Sequence, residues 1–187
     1  DCTGHGVPGA MVSVLGHNSL NRCINEFQLR DPGKILDTLT ELVESTLNKK
    51  ETTVNDGMDI ALCVWDKKNN LKYAGANNPL YLIRDGELIE TKGDKQPIGK
   101  YFKRSPFVTH DFELKTGDSI YLFSDGYADQ FGGPKGKKLK YSVFKNYLLE
   151  LDQETCSKIH GELDKRFEAW KNDLEQIDDV CVMNIKF

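Results

Sequence analysis

The chain has 187 residues, 25 of them basic and 29 acidic, for a net charge of −4. That length suits one domain with a sizeable core, and the mild acidity argues against a general nucleic-acid binder, whose phosphate contacts need a basic excess. The longest apolar stretches, such as "IALCVW", fall far short of the ~20 residues a bilayer-spanning helix needs.

Five cysteines (Cys2, Cys23, Cys63, Cys156 and Cys181) form an odd set with no C-x-x-C pair, which predicts reduced, buried thiols. His5, His17, His110 and His160 have no zinc-type spacing.

In chain order, Pro8 follows a glycine loop and suits the first turn of a helix. Val12, Leu15, Leu20, Cys23, Ile24 and Phe27 then recur at helical spacing. Asp31-Pro32 reads as an N-cap and first helical residue. Ile35, Leu36, Leu39, Leu42, Val43 and Leu47 give that second helix one apolar face. "MDIALCVWD", "LKYAGA" and "LYLIRDGELIE" read as strands, with Asp85-Gly86 a hairpin turn. "FVTHDFEL" alternates, "KTGD" turns the chain, and "SIYLFS" is another strand. "FGGPKGKK" and the basic run at 135–140 read as a solvated loop, able to recognise a protein substrate or simply mobile. Helices are expected at "YSVFKNYLLEL" and over 154–174, and "VCVMNIKF" closes as a strand. Helices, many antiparallel strands, more helices and a final strand indicate a layered α/β (α+β) sandwich, one domain over 1–187, not a doubly wound parallel sheet.

Three acidic motifs sit at element ends: Asp1 before the glycine loop, Asp125 after "SIYLFS", and Asp178-Asp179 before the last strand. A strand end is a rigid mount, and Gly126 lets the backbone turn away from the Asp125 carboxylate. Grouped aspartates repel unless a cation lies among them, and all-oxygen ligands favour Mg²⁺ or Mn²⁺. Singly, each motif reads as well as a turn residue or a solvated pair. The set and its order carry the signal.

"DCTGHGVPGAMVS", "GMDIALCVWD", "YAGANNPLYLIRDGELIE", "KQPIG", "GDSIYLFSDGYADQFGG" and "QIDDVCVMNIKF" together resemble the metal-dependent type 2C protein serine/threonine phosphatases, in their bacterial SpoIIE/RsbU-like branch. The resemblance covers essentially the whole chain. It implies an α-β-β-α sandwich of mostly antiparallel sheets with a two-metal centre. Asp1 would bridge two Mn²⁺ or Mg²⁺ ions, the Cys2 backbone carbonyl would ligate one, and Asp125 and Asp178 would complete the set, with Asp179 secondary. A metal-bound water would attack phosphoserine or phosphothreonine in a regulatory protein, such as an anti-sigma-factor antagonist. Cys181 stands where the family often has threonine.

The family also carries an acidic strand motif upstream of the D-x-x-G-H-G loop. The resemblance therefore implies an N-terminally truncated domain, the cytoplasmic output end of a longer sensor, free or membrane-anchored, with no membrane contact of its own. A fragment of this kind is expected to bind metal poorly and to expose a sheet edge through which it could dimerise. Two other readings stand beside phosphoprotein hydrolysis: a degenerate phosphatase fold used for binding, and hydrolysis of a small phosphate ester.

Among the remaining residues, Gly4, His5 and Gly6 are candidates to meet substrate phosphate at a helix start, His5 otherwise shaping the loop or serving as a general acid to the leaving oxygen. Asn77 and Asn78 read as turn formers or orienting groups, and Asp59 as a strand-start carboxylate or a support for the site. Asp129 and Gln130 are expected to buttress the loop after Asp125.

Overall fold

The computed structural model describes residues 1–4, 6–47 and 57–187. Its elements are α1 (Gly6–Asn21), α2 (Pro32–Leu47), β1 (Gly57–Met58), β2 (Ile60–Trp65), β3 (Asn70–Ala76), β4 (Leu80–Arg84) and β5 (Glu87–Thr91). There follow β6 (Ile98–Gly99), β7 (His110–Glu113), β8 (Ser119–Phe123), α3 (Gly126–Asp129), β9 (Phe131–Gly132) and β10 (Lys137–Lys138). The chain closes with α4 (Tyr141–Leu151), α5 (Cys156–Lys171) and β11 (Val182–Lys186). A π-helical turn, Arg22–Glu26, extends α1.

These elements form two compact units, Asp1–Pro79 with Lys92–Leu114, and Leu80–Thr91 with Lys115–Phe187. The first unit carries an antiparallel sheet of order β2-β3-β7 and a short β1-β6 ribbon. Its core joins Ile35, Leu36, Leu39 and Val43 of α2 to Val12, Cys23, Ala74 and Ala76. Asp31 caps α2 by accepting the Lys34 amide at 3.1 Å, with Pro32 in the first turn, as the sequence predicts.

The second unit is a sheet of order β11-β8-β4-β5, antiparallel throughout. Tyr81 and Ile83 of β4 and Tyr121 and Phe123 of β8 share a core with Tyr127, Phe144, Leu148, Ile159, Leu163 and Phe167. Asp85 (φ 51°) and Gly86 (φ 78°) both lie at positive φ, the turn geometry that suits the β4–β5 hairpin. The expected mixture of helices and antiparallel sheets is therefore present, each sheet packed against helices of its own unit.

Three expectations need correction. Only Cys23 is buried. Cys2 and Cys63 are half-buried, and Cys156 and Cys181 are exposed, one opening α5 and the other preceding an edge strand. Burial pushes the Cys63 thiol up to about 12. The strand expected over "FVTHDFEL" shrinks to β7, because the Phe107 amide donates to the Asp37 carboxylate at 3.1 Å and so makes no ladder bond. The basic loop is a hairpin, β9 with β10. Among the described residues, no helix is long and apolar enough to cross a membrane.

Candidate functional site

The first unit positions Asp1. Residues 1–3 run antiparallel to 57–59: the Asp59 amide donates to the Asp1 carbonyl at 2.7 Å, and the Thr3 amide to the Gly57 carbonyl at 2.9 Å. The N-terminal ammonium of Asp1 donates to the Asp59 carbonyl at 3.1 Å. In this register Cys2 and Met58 form a non-hydrogen-bonded pair, so the Cys2 carbonyl points away from 57–59. Its side chain accepts from Ser13 Oγ at 3.2 Å.

Asp59, half-buried, accepts from Asn77 Nδ2 at 2.8 Å. Burial raises its carboxyl above the usual range, against the opposing pull of Asn77 and the N-terminal ammonium. Asn77 holds a left-handed turn (φ 59°), so it serves both as a turn former and as a support. The buried Tyr73 hydroxyl donates to the Asn78 carbonyl at 2.6 Å and secures the same loop. Gly4 (φ 89°) and Gly6 (φ 67°) lead into α1, exposed and left-handed. His5 lies outside the described residues.

The second unit brings Asp125 and Asp178-Asp179 to one end of the β8–β11 pair. Ser124 is the link. Its hydroxyl donates to the Asp179 carbonyl at 2.8 Å and accepts from the Cys181 amide at 2.9 Å, while its own amide donates to the Cys181 carbonyl at 3.0 Å. A Cβ at Gly126 would fall 2.5 Å from the Asp179 carbonyl oxygen, so glycine is required for the two segments to approach. Asp125, half-buried, precedes α3. Asp178 is exposed and accepts the Asp179 amide at 2.8 Å, and its carbonyl accepts from Gln176 Nε2 at 2.7 Å.

Gln130 holds the loop after Asp125, its side-chain amide donating to the Phe131 carbonyl at 3.0 Å, and it reaches further along the chain as well. Fully buried, it donates to the Glu175 carbonyl at 2.9 Å and accepts the Ile177 amide at 3.4 Å, holding the segment that leads to Asp178. Asp129 pairs with Lys138 at 2.7 Å. Ser124 was not singled out from the sequence. Its only signal there is its place between the apolar strand and Asp125.

Each unit offers oxygen donors of the kind that suits a hard dication, the Asp1 carboxylate and Cys2 carbonyl in the first and the Asp125 and Asp178 carboxylates in the second. Among the described residues, no group of three or more His, Cys, Asp or Glu side chains stands together as a ready metal site. A cleft of about 590 Å³ lies between α5 and β11, lined by His160, Asp164 and Asn184 among others and by none of the three acidic motifs.

Solved structures place the fold among the PP2C-type phosphatases. The SiaA PP2C domain of Pseudomonas aeruginosa matches with a TM-score of 0.89 at 28% identity, over 100% of this chain and 73% of that one. A structure of the PP2C phosphatase domain and a regulatory fragment of the cell fate determinant SpoIIE from Bacillus subtilis matches with a TM-score of 0.75 at 16% identity. That match covers 100% of this chain, which spans 52% of the other. The catalytic domain of PstP, the Mycobacterium tuberculosis serine/threonine phosphatase, solved in complex with 2 manganese ions, matches with a TM-score of 0.65 at 17% identity, over 97% and 83% of the two chains. No curated protein sequence matches significantly. The family model for stage II sporulation protein E (SpoIIE) matches residues 1–187, and the chain belongs to that family.

Proposed function

We propose that this domain is a Mn²⁺- or Mg²⁺-dependent protein serine/threonine phosphatase acting on a phosphorylated regulatory protein, of the anti-sigma-factor-antagonist kind. The observation that carries the reading is the Ser124 link, which mounts the Asp125 and Asp178-Asp179 motifs at one sheet end, in a chain of the SpoIIE family. Asp1, the Cys2 carbonyl, Asp125 and Asp178 are the residues we assign to hold two ions, with Asp179 beside them. When bound, such ions supply an activated water and polarise a phosphoryl oxygen.

The chain's own residues set the stage for that chemistry. The 57–59 segment orients Asp1 and leaves the Cys2 carbonyl directed outward. Gly4, His5, Gly6 and the first amides of α1 are assigned to the substrate phosphate, since a helix start attracts anions. We read the domain as the cytoplasmic output end of a longer sensor protein, a reading supported by the regulatory fragment that accompanies the Bacillus subtilis phosphatase domain.

The test is phosphate release from a phosphoserine protein with and without Mn²⁺, by the full-length protein carrying the upstream strand, in wild type, Asp125→Asn and Asp178→Asn. Each substitution is expected to lower kcat by about 100-fold or more, the scale for removing a group that stabilises transition-state charge. Full activity in both variants would refute the assignment. Titration calorimetry with Mn²⁺ reads the same residues without turnover, and both variants are expected to bind fewer ions.

A further inference from the structure

The β9–β10 hairpin carries the one concentrated basic run of an acidic chain. It pairs Gly132 with Lys137 and Phe131 with Lys138. Its base is fixed. The Gly133 amide donates to the Trp170 carbonyl at 2.8 Å, and Trp170 Nε1 donates to the Gln130 carbonyl at 3.0 Å. A Cβ at Gly132 would lie 1.9 Å from the Trp170 carbonyl oxygen, so only glycine permits this seat on the end of α5. Leu139, buried, donates its amide to the Gln130 carbonyl at 3.0 Å.

The same Gln130 holds residues 175–177, which lead into Asp178, and α3 joins the hairpin to Asp125. The hairpin is thus tied at its base to both acidic motifs of its unit. Its outer part presents Lys135, Lys137 and Lys138, and Lys140 stands at its base where α4 begins, all four exposed. Asp129 engages Lys138. Among the described residues, no ion pair engages the other three lysines.

We propose that this hairpin docks an acidic stretch of the phosphoprotein, beside its phosphorylated residue. The inference rests on the phosphatase reading above and names the substrate feature which that site selects. Three ammonium groups with no acidic partner among the described residues, on a short ribbon anchored at its base, complement a run of carboxylates. Exposed pairs are individually weak and screened by salt, so the contribution is selective and salt-sensitive rather than large.

The experiment compares two fluorescein-labelled phosphoserine peptides, one flanked by glutamates and one by glutamines, on wild type and on the double variant Lys135→Glu/Lys137→Glu. Fluorescence anisotropy reports binding, and circular dichroism confirms that the variant is folded. Wild type is expected to favour the glutamate peptide by about tenfold at low salt, and the variant to lose that preference, as does wild type at high salt. Equal binding of the two peptides by wild type, or an unaltered preference in the variant, overturns the proposal. Turnover of p-nitrophenyl phosphate with Mn²⁺ is followed separately. Its absence from the full-length protein counts against the hydrolase reading, while the anisotropy still decides the docking.

Discussion

The Ser124 hydroxyl is the smallest group on which the second unit's acidic motifs depend. It is buried, and it serves one donor and one acceptor of the segment that carries Asp179 and Cys181. Ser124→Ala leaves the Cys181 amide and the Asp179 carbonyl each short of a partner, at a cost of about 2 kcal/mol. We expect a lower thermal midpoint and a loss of Mn²⁺ affinity from the same variant, with Ser124→Thr retaining more of both. An alanine variant that melts and binds like wild type would show that the link is dispensable. Lys140 presents the opposite case. Its backbone lies at φ 78° and ψ 148°, a region that suits glycine, at a strain of about 1–3 kcal/mol. Lys140→Gly is expected to stabilise the protein by about 1 kcal/mol in urea unfolding, after allowing for glycine's greater freedom in the unfolded chain. A lower urea midpoint would show that the strain is not there.

Among the elements, β4 and β8 are joined by more than their ladder. Arg84 on β4 donates to Asp118 through Nε at 2.8 Å and through Nη2 at 2.6 Å, and Asp118 is almost completely buried. The Lys115 amide also donates to the Asp118 carboxylate, at 2.8 Å. The Arg84 hydrogen bonds are the main cause holding this carboxyl below its usual range. A depressed pKa contributes stability that is present above the unfolded value, about 3.9 for aspartate, and is lost as pH falls through the folded one. Arg84→Met should therefore cost about 3 kcal/mol at neutral pH, by leaving a buried carboxylate without its cation. The gap from wild type should narrow below about pH 4, where Asp118 takes up a proton. Thermal melts across pH check this, and a gap independent of pH would contradict it.

Elements of this length were readable because periodicity and punctuation agree. Asp31-Pro32 marks a helix start and Asp85-Gly86 a hairpin, and both stand where the sequence places them. The ribbons β1–β6 and β9–β10 have two residues per strand, too few to show alternation, and they exist because neighbours hold them. Trp170 seats β9 from far along the chain, and nothing in "FGGPKGKK" announces that partner. The acidic motifs were visible because each stands at the border of an element, Asp125 after an apolar strand, Asp178-Asp179 before one and Asp1 before a glycine loop and helix. The roles of Ser124 and Gln130 were not, because they are defined by hydrogen bonds spanning some fifty residues.

At the scale of the whole molecule, neither core is encoded by one continuous stretch. Leu80–Thr91 lies within the span of the first unit but belongs to the second, where β4 pairs with β8. A fragment of residues 115–187 would keep α4 and α5 but lack Tyr81 and Ile83 of its core and the strand that flanks β8. We expect it to show no cooperative thermal transition by circular dichroism. Supplying 80–91 by circular permutation, ahead of residue 115, should restore one. A sharp transition in the bare fragment would show that β4 is not needed.

The same interleaving imposes an order on biosynthesis. The β4–β5 hairpin leaves the ribosome well before β8 and β11 exist, at ordinary elongation rates roughly five to twenty seconds before β11 emerges. During that interval Leu80, Tyr81, Leu82 and Ile83, all buried in the finished fold, have β5 along one edge but no β8 along the other. Residues 92–114 must meanwhile complete the first unit while the preceding hairpin waits for its own. The nascent protein thus passes through a stage with a sticky, half-dressed ribbon, which makes 80–91 the stretch where holdase chaperones would be expected to bind.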